Sequence, residues 1–569
     1  MTKTNKTMNW ELRAVQLDLA RQPETVEYIE SFIDFAASCG FNSLVLYLEG
    51  RIKTGSFPFS KRAESYSPEQ IRRIVDYAAA HGLDTIPVVS MFGHADIFLE
   101  GPELEELAEL RGGRMGRFSG NRHVFCPSQP GTPAFLADYT AEVAELFPSR
   151  YFHAGFDEAW DIGYCDLCRG KNQAELFGAH LLRCYEIVTK RLGKQMMIWD
   201  DMFDIYPEVL ETLPRDIILC AWQYDSPVEM PSGHCGGPRA DKLALYDRMG
   251  FRYIFAPAVF SLRNIETLSS YASGRHPLGG LLTSWELERS FLFSDYPNIA
   301  YAGMLWNGAN PAPEQAVRAI TGCGDAEASL LCSILNNREA RLSPNPQTYL
   351  RGPLNDREYD RKVLVSALRV MLKPLRENAV DELKRSVLED LIICLDEELL
   401  SFELRRLLGE LYAGSSHLPL DAAEKTLAGI REKRLSQWRH HRPGIDYSHL
   451  TKHFDQLRAL FDRVRKEAGQ AHGLLRIRFL FAQANISLSI KWQDQSNMQT
   501  VAAFRISHQP QDGAGQYLIP VPGDGIPEAL RVESSGLTGI GITYLEFIDS
   551  RGVRHIPGAV LETSGNVTE

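Results

Sequence analysis

The chain has 569 residues, 44% of them apolar and 24% charged, with Lys+Arg 61 against Asp+Glu 73 and a formal net charge of -12. One hydrophobic core does not grow to that length, so two or three domains of ordinary globular composition are expected. The acidic balance argues against a dedicated binder of nucleic acid or of an anionic membrane, which leaves a neutral or polar small molecule as the expected partner.

The first residues, "MTKTNKTMNWELRAV", contain no apolar core of a secretory signal, and no apolar run approaches the ~20 residues of a membrane span. The ten cysteines are scattered singly except for Cys165 and Cys168. A cytoplasmic location with mostly reduced, buried thiols is expected.

In chain order, the strand candidates are "RAVQLDL" (13 to 19), "SLVLYLE" (43 to 49), "DTIPVVSMF" (84 to 92), "RYFHAGF" (150 to 156), "QMMIWDD" (195 to 201), "IILCAW" (217 to 222), "RYIFAPA" (252 to 258) and "GGLLTSW" (279 to 285). Amphipathic stretches separate them, as in "SPEQIRRIVDYAAAHG", where Ser67 can cap, Pro68 takes the first helical position and Gly82 ends the helix. Continuous apolar strands alternating with helices imply a parallel sheet covered on both faces. The eight units predict an α/β fold, a (β/α)8 TIM barrel over residues 8–312, with a doubly wound sheet as the alternative. From 313 to 472, Leu, Val and Ile recur at three- and four-residue spacing in "DREYDRKVLVSALRVMLKPLREN" and its successors, which predicts a helical domain. From 473 to 569 the period becomes two and Gly, Pro and Asn punctuate it, which predicts a small β-sandwich. This C-terminal region is also where a homodimer would form.

A barrel places chemistry at the carboxyl ends of its strands. Asp18, Glu49, His94, Asp157, Glu158, Asp200, Asp201, Trp222, Trp285 and Glu286 all fall at or just past those ends. Polar residues also mark where any strand stops, but the recurrence of acids and tryptophans at one end points to a site. Adjacent carboxylates among tryptophans suit glycoside chemistry, in which one acid protonates the leaving oxygen while negative charge supports an oxocarbenium-like centre. Tryptophan faces stack on the apolar faces of sugars.

The segment "HAGFDEAW" resembles the H-x-G-x-D-E signature of family 20 glycoside hydrolases, the β-N-acetylhexosaminidases, and most of all their hexosaminidase D branch. "RAVQLD" is similar to the family's opening of strand one, "VVSMFGHADIFL" to its third-strand segment, and "MMIWDDMF", "CAWQYD" and "LLTSWE" to its later tryptophan-bearing strand ends. Phe156 stands where most of the family has glycine, and Glu49 and Gly50 stand where it has an acidic pair.

The resemblance implies exo-acting, retaining hydrolysis of terminal β-linked N-acetylgalactosamine or N-acetylglucosamine from a small glycan. The acetamido oxygen of the sugar attacks its own anomeric carbon and gives an oxazolinium ion. Glu158 would be the general acid and then the general base, and Asp157 would orient the acetamido group and steady its positive charge. Arg13 would grip ring hydroxyls, while Trp199, Trp222 and Trp285 wall the sugar. Tyr224 would donate to the acetamido oxygen, and Glu286, in competition with Glu288, would hold outer hydroxyls. His94 would link Glu49 to the acid by hydrogen bonds. His153 reads as structural, and Asp200, ahead of Asp201, as a supporting acid.

No cofactor and no metal are assigned. Cys165 and Cys168 form a C-x-x-C pair, but structural zinc needs four ligands and no second C-x-x-C or H-x3-H lies nearby, so Cys126, His123 or Cys235 would have to complete the set in space. Free thiols or a local disulfide are the preferred reading. Rival functions are another retaining glycosidase acting on amino sugars, a carbohydrate-binding barrel without catalysis, and a metal-dependent hydrolase using His94, His153 and Asp157.

Overall fold

The computed structural model describes residues 10 to 60, 64 to 112, 123 to 233, 240 to 285, 290 to 309 and 311 to 336, together with segments of 342 to 555. Eight parallel strands close into a barrel in sequential order. They are β1 (Leu12–Asp18), β2 (Ser43–Tyr47), β3 (Asp84–Val88), β4 (Tyr151–His153), β5 (Gln195–Trp199), β6 (Ile218–Trp222), β7 (Arg252–Ala256) and β8 (Gly279–Leu282). All eight coincide with the sequence-predicted runs, and closure of β8 onto β1 excludes the doubly wound alternative.

Closure depends on one glycine. Gly279 pairs with Leu12 so tightly that a Cβ at this position would meet the Leu12 carbonyl oxygen at 1.8 Å. Between the strands, helix α1 (Val26–Ser38) buries Ile29, Phe32 and Ile33, and α2 (Pro68–Ala80) buries Ile71, Ile74 and Val75. The predicted start of α2 is realised as a capping box. Gln70 N donates to Ser67 Oγ, Ser67 N donates to Gln70 Oε1, and Gly82 ends the turn at φ +76°. Because helices cover the outside and side chains fill the inside, β2 is buried at every position.

The chain divides into two compact units. The first comprises Met1–Arg338, Leu375–Asp390 and Trp438–Asp446, so two short helical pieces from beyond residue 313 pack with the barrel. Arg442, from one of them, is wholly buried, donates from Nε to Glu24 Oε2 at 2.7 Å and lies 3.9 Å above the Phe291 ring. A buried pair of this kind is strongly destabilising when one partner is removed, because the other is left charged in the interior.

The second unit comprises Glu339–Pro374, Leu391–Gln437 and Tyr447–Glu569. It holds most of the predicted long helices and two antiparallel sheets, one of three strands and one of four. Among the described residues, no helix is long and apolar enough to cross a membrane.

Candidate active site

Strand β4 is three residues long and runs directly into unusual backbone. Gly155 turns at φ +73°, Phe156 at +81° and Glu158 at +49°. Glu49, after β2, and His94, after β3, lie at +49° and +53°. Among the described residues these four are the non-glycine residues in the left-handed region, and all lie past the carboxyl ends of adjacent strands. Each such residue costs about 1–3 kcal/mol and persists only where packing over-determines it. Phe156 shows how: its buried ring packs against Phe92, Phe177 and His180, with centroids 5.6 to 6.0 Å away. Gly93 lets the β3 loop approach, since a Cβ there would sit 2.1 Å from the Asp157 carbonyl oxygen.

The approach of those loops brings His94 to both carboxylates. Its Nε2 lies 3.2 Å from Asp157 Oδ2 and 3.4 Å from Glu158 Oε2. The Asp157 side chain is 10% exposed and that of Glu158 43% exposed, so neighbouring acids occupy different surroundings. Burial alone would disfavour the charge on His94, but Asp157, Glu158 and Glu49 hold its pKa well above the usual imidazole range. Burial likewise opposes ionisation of Asp157, and the charge and hydrogen bond of His94 overcome it, so Asp157 stays below the ordinary carboxylate value. Its Oδ2 is engaged by His94, while the buried Oδ1 has no protein partner.

A second layer fixes these groups. Asp201, past the end of β5, accepts the backbone N–H of Glu158 at 2.9 Å and the indole N–H of Trp222 at 3.2 Å. It thereby ties the loop after β4 to the end of β6. Trp285 Nε1 donates to the Tyr224 hydroxyl at 2.7 Å, and burial pushes that phenol above its usual pKa, so it keeps its proton. Tyr47 meets Trp285 edge to face at 5.0 Å, and the Arg21 guanidinium lies 4.9 Å from the Trp285 ring while pairing with buried Asp18 at 3.1 Å. Trp222, Tyr224 and Trp285 are half-buried, so each offers a face to a ligand.

Several sequence-based assignments change. Arg13 lies at the amino end of β1, where its guanidinium donates to the carbonyls of Gly40 and Trp10; it is at the wrong end of the barrel to touch a ligand beside Asp157. Arg21 is the arginine at the carboxyl end, and its position just past Asp18 was the signal that could have found it. Trp199 is 1% exposed, packed on His153 and against Trp285, so it supports the aromatic wall from beneath without lining it.

Glu49 acts on His94 through charge, with no hydrogen bond between them among the described residues; burial pushes its carboxyl up to about 7 against the pull of His94 and Arg21. Asp200 turns away to Tyr246 and Lys242, which leaves Asp201 as the supporting acid. His153 accepts from Gly155 N through Nδ1, and burial lowers its pKa to about 3, so it is a neutral structural residue and not one of a ligand set with His94. Glu286 and Glu288 lie outside the described residues.

Residues 10–233 match the model of glycosyl hydrolase family 20, catalytic domain. The chain is 25% identical over 261 residues to hexosaminidase D of Bos taurus, covering 44% of this chain and 71% of that protein. It is 27% identical over 290 residues to a β-hexosaminidase of Vibrio furnissii, covering 44% of each, so less than half of that relative's length is represented. Among solved structures, a β-N-acetylhexosaminidase of Bacteroides fragilis aligns with 53% of this chain and 68% of its own at 21% identity and a TM-score of 0.44. The matched segment runs from the first strand to just beyond the sixth and carries Arg21, His94, Asp157, Glu158, Asp201 and Trp222, so the likeness to glycosyl hydrolase family 20 extends over these site residues.

Proposed function

We propose that the protein is an exo-acting, retaining β-N-acetylhexosaminidase that removes terminal β-linked N-acetylgalactosamine or N-acetylglucosamine from small glycans by substrate-assisted catalysis. One observation carries this reading: an ionised, buried Asp157 with one oxygen held by His94 and the other without a protein partner, next to a half-exposed Glu158. A 2-acetamido N–H fits that unpartnered acceptor. Its carbonyl oxygen is then directed at the anomeric carbon and accepts a hydrogen bond from the Tyr224 hydroxyl, whose own oxygen accepts from Trp285. Glu158 protonates the departing oxygen and afterwards takes a proton from the water that opens the oxazolinium ring. Arg21 supplies a fork of donors to ring hydroxyls. Holding the amide at high effective molarity removes on the order of 7 kcal/mol from the barrier, so the protein need not supply a nucleophile.

The test is a panel of nitrophenyl glycosides containing both N-acetylhexosamines and their unacetylated counterparts, with a thiazoline mimic of the cyclic intermediate as inhibitor. Turnover confined to the N-acetylated substrates and strong thiazoline inhibition are expected. Glu158→Gln should lose most turnover, keep sugar binding, and recover partly with azide on an activated substrate. Equal turnover of unacetylated glucosaminides would replace this reading with that of a different amino-sugar glycosidase. Equally slow turnover by wild type and Glu158→Gln would point to a sugar-binding barrel.

A further inference from the structure

The C-x-x-C pair is part of a larger cluster. Cys126, from the long loop after β3, places its Sγ 3.4 Å from that of Cys165 and 3.6 Å from that of Cys168. A carboxylate oxygen of Glu109 joins them, with the four ligand atoms within 4.8 Å of one another and all four residues buried. A disulfide would bring two of these sulfurs to about 2.05 Å. A tetrahedral zinc with Zn–S bonds of about 2.3 Å sets thiolate sulfurs roughly 3.8 Å apart, close to the spacing seen.

Glu109 provides the independent observation. Its Oε1 accepts three backbone N–H groups, from Gly163 at 3.0 Å, Tyr164 at 2.8 Å and Cys165 at 2.9 Å. Its Oε2 is wholly buried and has no protein partner. A carboxylate anchored by one oxygen beside three sulfurs, with the other left without a donor, is oriented like a metal ligand whose outer oxygen is fixed by backbone amides. The backbone holds the cysteines in place as well. Cys126 N donates to the Leu107 carbonyl, and the N–H groups of Cys168 and Arg169 both close on the Cys165 carbonyl, a tight turn that points two sulfurs the same way.

We propose that Cys126, Cys165, Cys168 and Glu109 form a closed structural site for one zinc ion that staples the loop after β3 to the loop after β4. Three thiols release their protons to solvent on binding, and the soft sulfur set selects zinc over magnesium or calcium. The four ligands leave no open position, so the ion has a scaffolding role. The joined loops carry His94 on one side and Asp157 and Glu158 on the other, so the ion would fix the approach on which the His94 contacts depend.

The experiment needs no substrate, so it fails or succeeds separately from the glycosidase assignment. The full chain, produced with zinc in the medium and purified under reductant, is measured for metal by mass spectrometry. About one zinc per chain is expected, falling at least tenfold in Cys126→Ser and in the Cys165→Ser/Cys168→Ser pair. Glu109→Gln should give up its zinc to a chelator at lower concentration than wild type. If the cysteine variants do not fold, titrating the wild type with an organomercurial serves instead and should release zinc in step with modification of three thiols. Cobalt substitution should give a thiolate charge-transfer band. Metal-free folded protein with three free thiols, a disulfide within the cluster, or zinc that follows His123→Ala in place of Cys126→Ser would each overturn the assignment.

Discussion

The two ends of the barrel are built to different rules. At the amino end polar groups are paired by the protein: Asn42 Oδ1 accepts Arg13 N, Ser149 donates to Asp84, and Lys194 reaches the carbonyls of Phe147 and Ser149 at 2.7 Å. At the carboxyl end the four left-handed residues gather, and Tyr47 Oη, Asp157 Oδ1 and Trp199 Nε1 are buried without protein partners. Those amino-end groups are satisfied by the protein itself, with Thr85 Oγ1 near the start of β3 as an exception, whereas the carboxyl end combines strain with spare hydrogen-bonding capacity that a ligand or solvent can use.

The sharpest way to break that contrast is Asp157→Asn. The substitution keeps size and removes the charge that faces His94 and would meet the acetamido group. Loss of one preorganised electrostatic contact at a reacting centre lowers turnover by about 10²–10³-fold, and that loss is expected here on a nitrophenyl N-acetylhexosaminide, with little change in circular dichroism. A rate within twofold of wild type would remove Asp157 from the chemistry.

The next effect is one of stability and concerns Glu49. Its carboxyl rises from 4.5 to about 7 because it is buried, so the folded state prefers it protonated. The favourable contribution is complete below pH 4.5 and is lost as pH rises through about 7. At about 1.36 kcal/mol per unit, the loss is on the order of 3 kcal/mol by pH 8, with the attraction of His94 and Arg21 already contained in the raised value. Glu49→Gln should therefore match wild type near pH 4.5 and exceed it at pH 8 in urea midpoint. Parallel pH profiles for the two proteins would show that Glu49 titrates normally.

Much of this architecture was legible because its signals are local. Runs such as "SLVLY" and the Ser67–Pro68 cap fix strands and helices within a few residues, and strand ends then indicate where Asp157, Glu158, His94, Trp222, Tyr224 and Trp285 should converge. What could not be read depends on contacts across the fold. Arg13 matched a motif by spacing, yet a strand seven residues long separates its two ends, and only placement shows that Arg21 is the one at the mouth. Asp200 and Asp201 are adjacent and chemically alike, so their opposite orientations leave no trace in sequence. Glu109 sits in an unremarkable acidic stretch, and nothing local ties it to Cys126 or to the C-x-x-C turn. The left-handed conformations of Glu49, His94 and Phe156 are equally silent, because these residue types rarely adopt them and only tertiary packing enforces them.

The smallest effects form a matched pair of arginines, one at each end of β1. Arg21→Ala removes a charged donor paired with buried Asp18 and stacked near Trp285, a change of about 2 kcal/mol that should appear as a tenfold or larger fall in kcat/KM. Arg13→Ala removes two hydrogen bonds to carbonyls, at 3.2 Å from Gly40 and 3.1 Å from Trp10, and should cost about 1 kcal/mol of stability with kcat/KM unchanged. Steady-state kinetics and a urea melt on both variants separate the two roles. If Arg13→Ala lowered kcat/KM as much as Arg21→Ala does, loss of β1 anchoring would be reaching the mouth, and the division of labour between the ends of the barrel would not hold.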